Sequence, residues 1–121
     1  MYRMRYKDTI EESVQNVREH EAALFNRCVK LLQAAQKAGL KTPEVLDAVI
    51  FIRKLWSVLI KDLGQEVNVF SGEMKASLIS IGFFFLKEID RLEKGEEIDF
   101  DTLIEISHSI RDGLTIPKIG S

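Results

Sequence analysis

Glycine and proline divide the sequence into four stretches, and this division constrains the fold more than any other feature. The chain has only two prolines and seven glycines, and within each stretch apolar residues recur at steps of three and four. That period marks one face of an α-helix. Sparse helix breakers between such stretches favour long helices over a sandwich of many short strands. The predicted helices, with the capping residues of the last three, span about residues 9–38, 42–64, 71–95 and 99–113.

Residues typical of helix ends lie at these bounds. Thr42 and Ser71 can cap helix N-termini, and Gly39 and Gly64 lie where helices commonly end. Residues 65–70 form too short a segment to be a convincing β-strand, and the sequence offers no partner strand, so we interpret them as a loop. Short loops predict consecutive helices that pack antiparallel. The sequence therefore predicts an all-α, single-domain bundle of about four helices with short loops, formed by residues 1–114 and followed by a flexible C-terminal tail at 115–121.

The size and composition of the chain fit one soluble domain. A length of 121 residues is typical of a single domain and suffices for a hydrophobic core without a metal or a disulfide. Apolar residues make up 45% and charged residues 30%, which excludes a disordered chain. The basic start of the sequence precedes no apolar segment of the kind a signal peptide has, and no charge-free run is long enough to span a bilayer. We therefore expect a cytoplasmic protein without a membrane partner.

The residue types needed for catalysis do not form a recognisable motif. His20 and His108 lack a second ligand at zinc-binding spacing, and we expect both on helix surfaces. Cys28 falls on the apolar stripe of the first helix, where a free cysteine acts as a small hydrophobe. No glycine-rich phosphate loop is present. We therefore expect that the protein is not an enzyme and that it has neither a metal site nor a cofactor.

The charge of the chain argues against nucleic acid as a partner. Seventeen basic and nineteen acidic residues give a formal net charge of −2, whereas nucleic-acid-binding domains are usually strongly basic. The basic side chains are also scattered along the sequence. Nucleic-acid binding would require several of them on one face, and this alternative stays open.

The second and third predicted helices carry more apolar residues than one core stripe needs. Trp56 lies on the core stripe of the second helix, and we predict that it is a core anchor. A second apolar stripe on each helix predicts a partner surface, with basic residues at its rim; the alternative is that both stripes are internal. The predicted partner-binding residues are Phe51, Arg53, Lys54, Val58, Ile79, Phe83 and Leu86.

Glu21 interrupts the apolar stripe of the first helix. It lies between Val17 and Leu24, at a position where the pattern predicts a buried side chain. Burial of an unpaired carboxylate is very costly. We therefore expect Glu21 to be exposed or to pair with a base such as Arg53 or Arg111.

Four segments in the same order resemble the bacterial flagellar biosynthesis regulatory protein FlaF family. The resemblance covers about residues 1–114, and no single segment in it is a catalytic signature. The tail at 115–121 lies beyond the pattern. The matching segments are Met1-Tyr2 with Tyr6, the basic-Leu-Trp segment at 53–63, the central helix at 76–82, and the ending that starts at Asp99-Phe100 and continues through 103–106 and 110–114.

The resemblance implies a cytoplasmic, non-enzymatic factor of flagellum assembly. The family is tied to flagellin production and export, and it acts with a second regulator, FlbT, that controls translation of the flagellin messenger. Flagellin is therefore the expected partner, with FlbT a further functional or direct partner. Flagellin termini are amphipathic helices that stay unpaired until polymerisation, so a helix-in-groove mode would hide them. The alternative function is direct RNA binding to the flagellin messenger.

Overall fold

The computed structural model describes the backbone of residues 6–65 and 72–115, and the side chains of residues 20–65 and 72–113. These ranges contain four α-helices and no strand, which confirms the predicted all-α fold. The cap predicted at Ser71, most of the loop at 65–70 and the tail beyond 115 lie outside the described residues. The helices are α1 Tyr6–Ala38, α2 Pro43–Leu63, α3 Gly72–Glu93 and α4 Phe100–Thr115.

Side-chain caps fix the starts of α2 and α4. The Thr42 hydroxyl oxygen accepts a hydrogen bond from the Val45 amide at 3.3 Å, and the Asp99 carboxylate accepts one from the Thr102 amide at 3.1 Å. The Thr102 hydroxyl also donates to Asp99 at 2.7 Å, and these bonds lower the pKa of Asp99. Gly39 has a φ of 96°, which glycine adopts at low cost after a helix. The predicted bounds differ at two ends, because α1 begins earlier, at Tyr6, and α4 continues to Thr115.

Helix α4 packs antiparallel against α1. The Gln36 amide near the end of α1 donates to the Asp101 carboxylate at the start of α4 at 2.9 Å. At the other end of the pair, Arg111 donates to the Asn26 side-chain oxygen at 3.1 Å. Helix α1 packs against α2 on another flank, and α2 packs against α3.

Helices α2 and α3 are also antiparallel. Arg53, in the middle of α2, is 2.8 Å from both Asp90 and Glu93 near the end of α3. Ile60, farther along α2, approaches Gly82, which lies earlier on α3. The α1–α4 and α2–α3 pairs therefore follow the antiparallel arrangement that the short loops predict.

Trp56 lies at the centre of the core, as the stripe pattern predicts. Its side chain is fully buried, with ring centroids 5.5 Å from Phe25 of α1 and 5.3 Å from Phe85 of α3. A Cβ atom added to Gly82 would lie 2.6 Å from the Trp56 ring and 2.8 Å from Ile60, so only glycine fits where these helices meet. Aromatic contacts across three helices thus join α1, α2 and α3 in one core.

Some residues near the edges of the predicted stripes lie elsewhere than expected. The outer apolar stripe of α2 also includes Leu55, four residues after Phe51 and three before Val58, yet Leu55 is buried in the core. Met74 lies four residues before Leu78 on the apolar stripe of α3 that predicts the core, yet it is 48% exposed. Cys28 is buried as predicted, with its Sγ atom 3.5 Å from the Ser107 hydroxyl of α4. His108 is half-buried instead of exposed, whereas His20 is exposed.

Candidate partner-binding groove

A groove of about 820 Å³ runs between α1 and α2, and we call it the α1–α2 groove. Its apolar lining comprises Leu24 and Leu31 of α1 and Ile50, Phe51, Leu55, Val58 and Leu59 of α2. Its polar lining comprises His20, Glu21, Arg27, Asp47, Lys54 and Asp62.

Several apolar side chains of this groove face solvent. Ile50 is 58% exposed and Val58 is 59% exposed, although both lie on a helix that supplies much of the core. Phe51 between them is half-buried, and the Arg27 guanidinium lies 5.3 Å from the centroid of its ring. This cation–π contact holds an aromatic ring and a positive charge together on the groove wall. The surface combines apolar area with fixed charges, as protein-binding sites do.

The structure brings three of the predicted partner-binding residues together and separates the others. Phe51, Lys54 and Val58 line the α1–α2 groove. Arg53 lies on the other flank of α2, where it forms ion pairs with α3. Phe51 and Arg53 are two residues apart on α2. At about 100° per residue, their side chains point to nearly opposite sides of the helix.

The predicted residues of α3 also lie outside this groove. Phe83 is 59% exposed on α3. Ile79 and Leu86 are half-buried and pack against the core. The two outer stripes therefore do not form one α2–α3 surface, and a binding role for the α3 stripe stays a prediction.

The apolar pattern of α1 does not reveal that this helix forms one wall of the groove. Leu24 and Leu31 fall on the apolar stripe of α1 that predicts the core, and both are half-buried at its edge. Arg27 lies between them, one helical turn from each leucine, and this spacing indicates that the three side chains share one face of α1. To predict a groove between two helices, one must know which of their faces meet. The residue pattern of a single helix does not contain this information.

Glu21 is half-buried at one end of the groove, which differs from both expectations for it. Arg53 pairs with α3, Arg111 donates to Asn26, and the charge that acts on Glu21 is that of Asp62, not that of an arginine. Burial, and to a smaller extent the nearby negative charge of Asp62, together raise the pKa of Glu21 from 4.5 to about 6.

A second, smaller groove of about 380 Å³ lies between α3 and α4. Leu78 and Ile81 of α3 and Ile106 and Ile110 of α4 give it an apolar lining, and the exposed Met74 lies at one end. Its only charged lining residue among those described is Glu105. It therefore offers less area and fewer charges than the α1–α2 groove.

The described side chains give little basis for covalent or metal chemistry. Burial raises the pKa of the Cys28 thiol to about 11, so the reactive thiolate is strongly disfavoured there. Within residues 20–65 and 72–113, no three histidine, cysteine or carboxylate side chains are grouped closely enough to hold a metal ion. None of the helices, over the part of the chain described, combines the length and apolar character needed to cross a bilayer.

The fold and the groove define a class: a small antiparallel helical bundle with an apolar, charge-flanked surface groove between two of its helices. Comparison with protein families then matches residues 2–114 to the flagellar protein FlaF family, and the chain belongs to this family. The match confirms the resemblance seen in the sequence. Comparisons with curated proteins and with solved structures gave no significant match.

Proposed function

We propose that this flagellar protein is a cytoplasmic, non-enzymatic factor that binds flagellin and acts as a chaperone-like adaptor in its synthesis and secretion. The observation that carries the proposal is the α1–α2 groove, an apolar surface on a chain of a flagellar family. A terminal flagellin helix laid into the groove is shielded from premature assembly. The translation regulator FlbT is a further partner under this proposal.

The dimensions of the groove fit a helix of about four turns. On α2 the lining extends from Asp47 to Asp62, and a rise of 1.5 Å per residue makes this about 22 Å. The exposed side chains of Ile50 and Val58, eight residues apart, belong to one apolar stripe of α2 and can both contact a helix laid along the groove. Both side chains would lose their exposed apolar surface to a bound helix, and this burial would contribute to binding.

Binding of unpolymerised flagellin to single variants tests the proposal. Ile50→Ser and Val58→Ser remove exposed apolar contacts from the groove, and we expect each to weaken binding by roughly tenfold while the melting temperature is retained. Leu46→Ser is the matched control, because Leu46 is 52% exposed on the same helix and lies outside the groove. Isothermal titration calorimetry gives the affinities and circular dichroism the melting temperatures.

Phe83→Ser distinguishes the groove from the surface predicted on α3. Phe83 is 59% exposed, so its substitution should preserve the fold. If Phe83→Ser abolishes flagellin binding and Val58→Ser does not, the partner surface lies on α3 and the groove assignment is wrong.

The salt dependence of binding separates the proposal from the RNA alternative. Apolar helix binding should change little between low and high salt, whereas RNA binding falls steeply because counterions are released. Tight, salt-sensitive binding of the flagellin leader RNA, together with no binding of flagellin, would contradict the proposed function.

A further inference from the structure

The charged side chains of the α1–α2 groove follow a definite order along its length. Glu21 lies near Asp62, and Arg27, farther along α1, lies over Phe51, which comes earlier on α2, so α1 and α2 are antiparallel. Glu21 and Asp62 therefore share one end, Arg27 and Lys54 lie near the middle, and Asp47 lies at the other end. The rise per residue places the acidic end about 10 Å from the basic middle. That distance equals two helical turns, or the separation of residues i and i+7 on one face of a helix.

We propose that this groove selects an amphipathic helix with a lysine or arginine at the end of its apolar face, and that this cation docks between Glu21 and Asp62. An acidic residue two turns away on the same helix then meets Arg27 and Lys54. The inference rests on the proposed function for its helical partner and adds the chemistry of recognition. Complementary charges at two points favour one direction of the bound helix over the other.

The surroundings of Glu21 in the free protein favour a cation from outside. Burial and the neighbouring Asp62 carboxylate both raise the pKa of Glu21, so its charged form is disfavoured. His20 is the adjacent residue on α1 and is exposed at the same end of the groove. On α4, which packs on another flank of α1, the Arg111 guanidinium donates to Asn26. A partner cation at Glu21 would stabilise its ionised form and so couple binding to release of a proton.

Isothermal titration calorimetry measures how many protons are released on binding. The titration is done at pH 6.0 in two buffers that differ in ionisation enthalpy. Unpolymerised flagellin is the ligand, and we expect release of about half a proton per complex, because a carboxyl with a pKa near 6 is half protonated there. Glu21→Gln should abolish the release and weaken binding at pH 7.5 by about fivefold. Glu105→Gln makes the same change of charge in the α3–α4 groove and should behave as the wild type. His20→Gln should retain the proton release.

The possible results separate this inference from the proposed function. Flagellin binding without proton release, and with equal affinity for Glu21→Gln, overturns the cation site and leaves flagellin binding intact. Failure of flagellin to bind overturns the proposed function. In that event a designed amphipathic helix with one terminal lysine, and its Lys→Gln version, test the site: lysine-dependent binding supports it, and equal binding of the two peptides overturns it.

Discussion

Trp56 contacts the aromatic rings of Phe25 and Phe85, and its side chain is fully buried. Its indole Nε1 is also buried and has no hydrogen-bond partner among the described residues. The residue belongs to a segment that resembles a family motif, yet its surroundings are those of a core side chain. At this position the apolar spacing in the sequence is sufficient to predict the location.

Substitution of Trp56 tests its structural role. Trp56→Ala should lower the free energy of unfolding by roughly 3–5 kcal/mol, because it leaves a large cavity between three helices. Trp56→Phe keeps most of the ring contacts and removes the unsatisfied N–H, so it should cost clearly less. Urea unfolding measures both values. An unchanged midpoint for Trp56→Ala, accompanied by loss of partner binding, would make Trp56 a binding residue instead.

Glu21 should make the stability of the protein depend on pH. Its pKa is about 6 in the folded protein and 4.5 without the effects of folding, so the folded state binds the proton more tightly. The contribution of Glu21 to stability should therefore be largest below pH 4.5, fall as the pH rises from 4.5 to 6, and stay lower above pH 6. The shift corresponds to at most about 2 kcal/mol, and solvent screening at this half-buried site reduces it to about 1 kcal/mol.

Glu21→Gln should accordingly stabilise the protein at pH 7 and flatten this part of the pH profile. Urea unfolding at several pH values, with Glu105→Gln as the control, measures the effect. A Glu21→Gln variant that is less stable than the wild type at pH 7 would show that the carboxylate has a stabilising partner. The same variant is expected to bind flagellin more weakly. The Glu21 carboxylate would therefore lower the stability of the free protein and strengthen binding of the partner.

At the scale of helices, α2 is the element that determines where the candidate site lies. One flank of α2 carries Phe51 and Val58 toward α1, and the other carries Arg53 and Ile60 toward α3. The sequence predicts the core stripe of this helix because that stripe is long and regular. It does not predict which neighbour each outer residue meets, because the order of neighbours around α2 depends on packing between helices.

The contact at Gly82 explains part of that packing and can be tested directly. Gly82→Ala would force a Cβ atom against the Trp56 ring and Ile60, and we expect a destabilisation of about 1–3 kcal/mol. Gly113→Ala is the matched control, because Gly113 is a helical glycine with open space at its Cβ position. It should be neutral or stabilise by up to about 1 kcal/mol. Thermal unfolding compares the two, and a neutral Gly82→Ala would contradict the close approach of α2 and α3.

At the scale of the whole molecule, the short loops predict the antiparallel order, and the hydrogen bonds between α1 and α4 agree with it. The grooves could not be predicted in the same way. Each groove lies between two helices, and how two helices pack depends on side-chain packing across the core, which the sequence of one helix does not specify. Family membership adds the flagellar context, and the groove is the surface that we propose for a partner helix.

Hydrogen exchange of the backbone amides, with and without unpolymerised flagellin, tests the central claim most directly. If a flagellin helix occupies the α1–α2 groove, exchange should slow at residues 20–31 and 47–62 when the complex forms. Residues 74–81 and 105–113, which line the α3–α4 groove, should exchange at the same rate in both states. Protection of the α3–α4 residues, with no change along α1 and α2, would contradict the account.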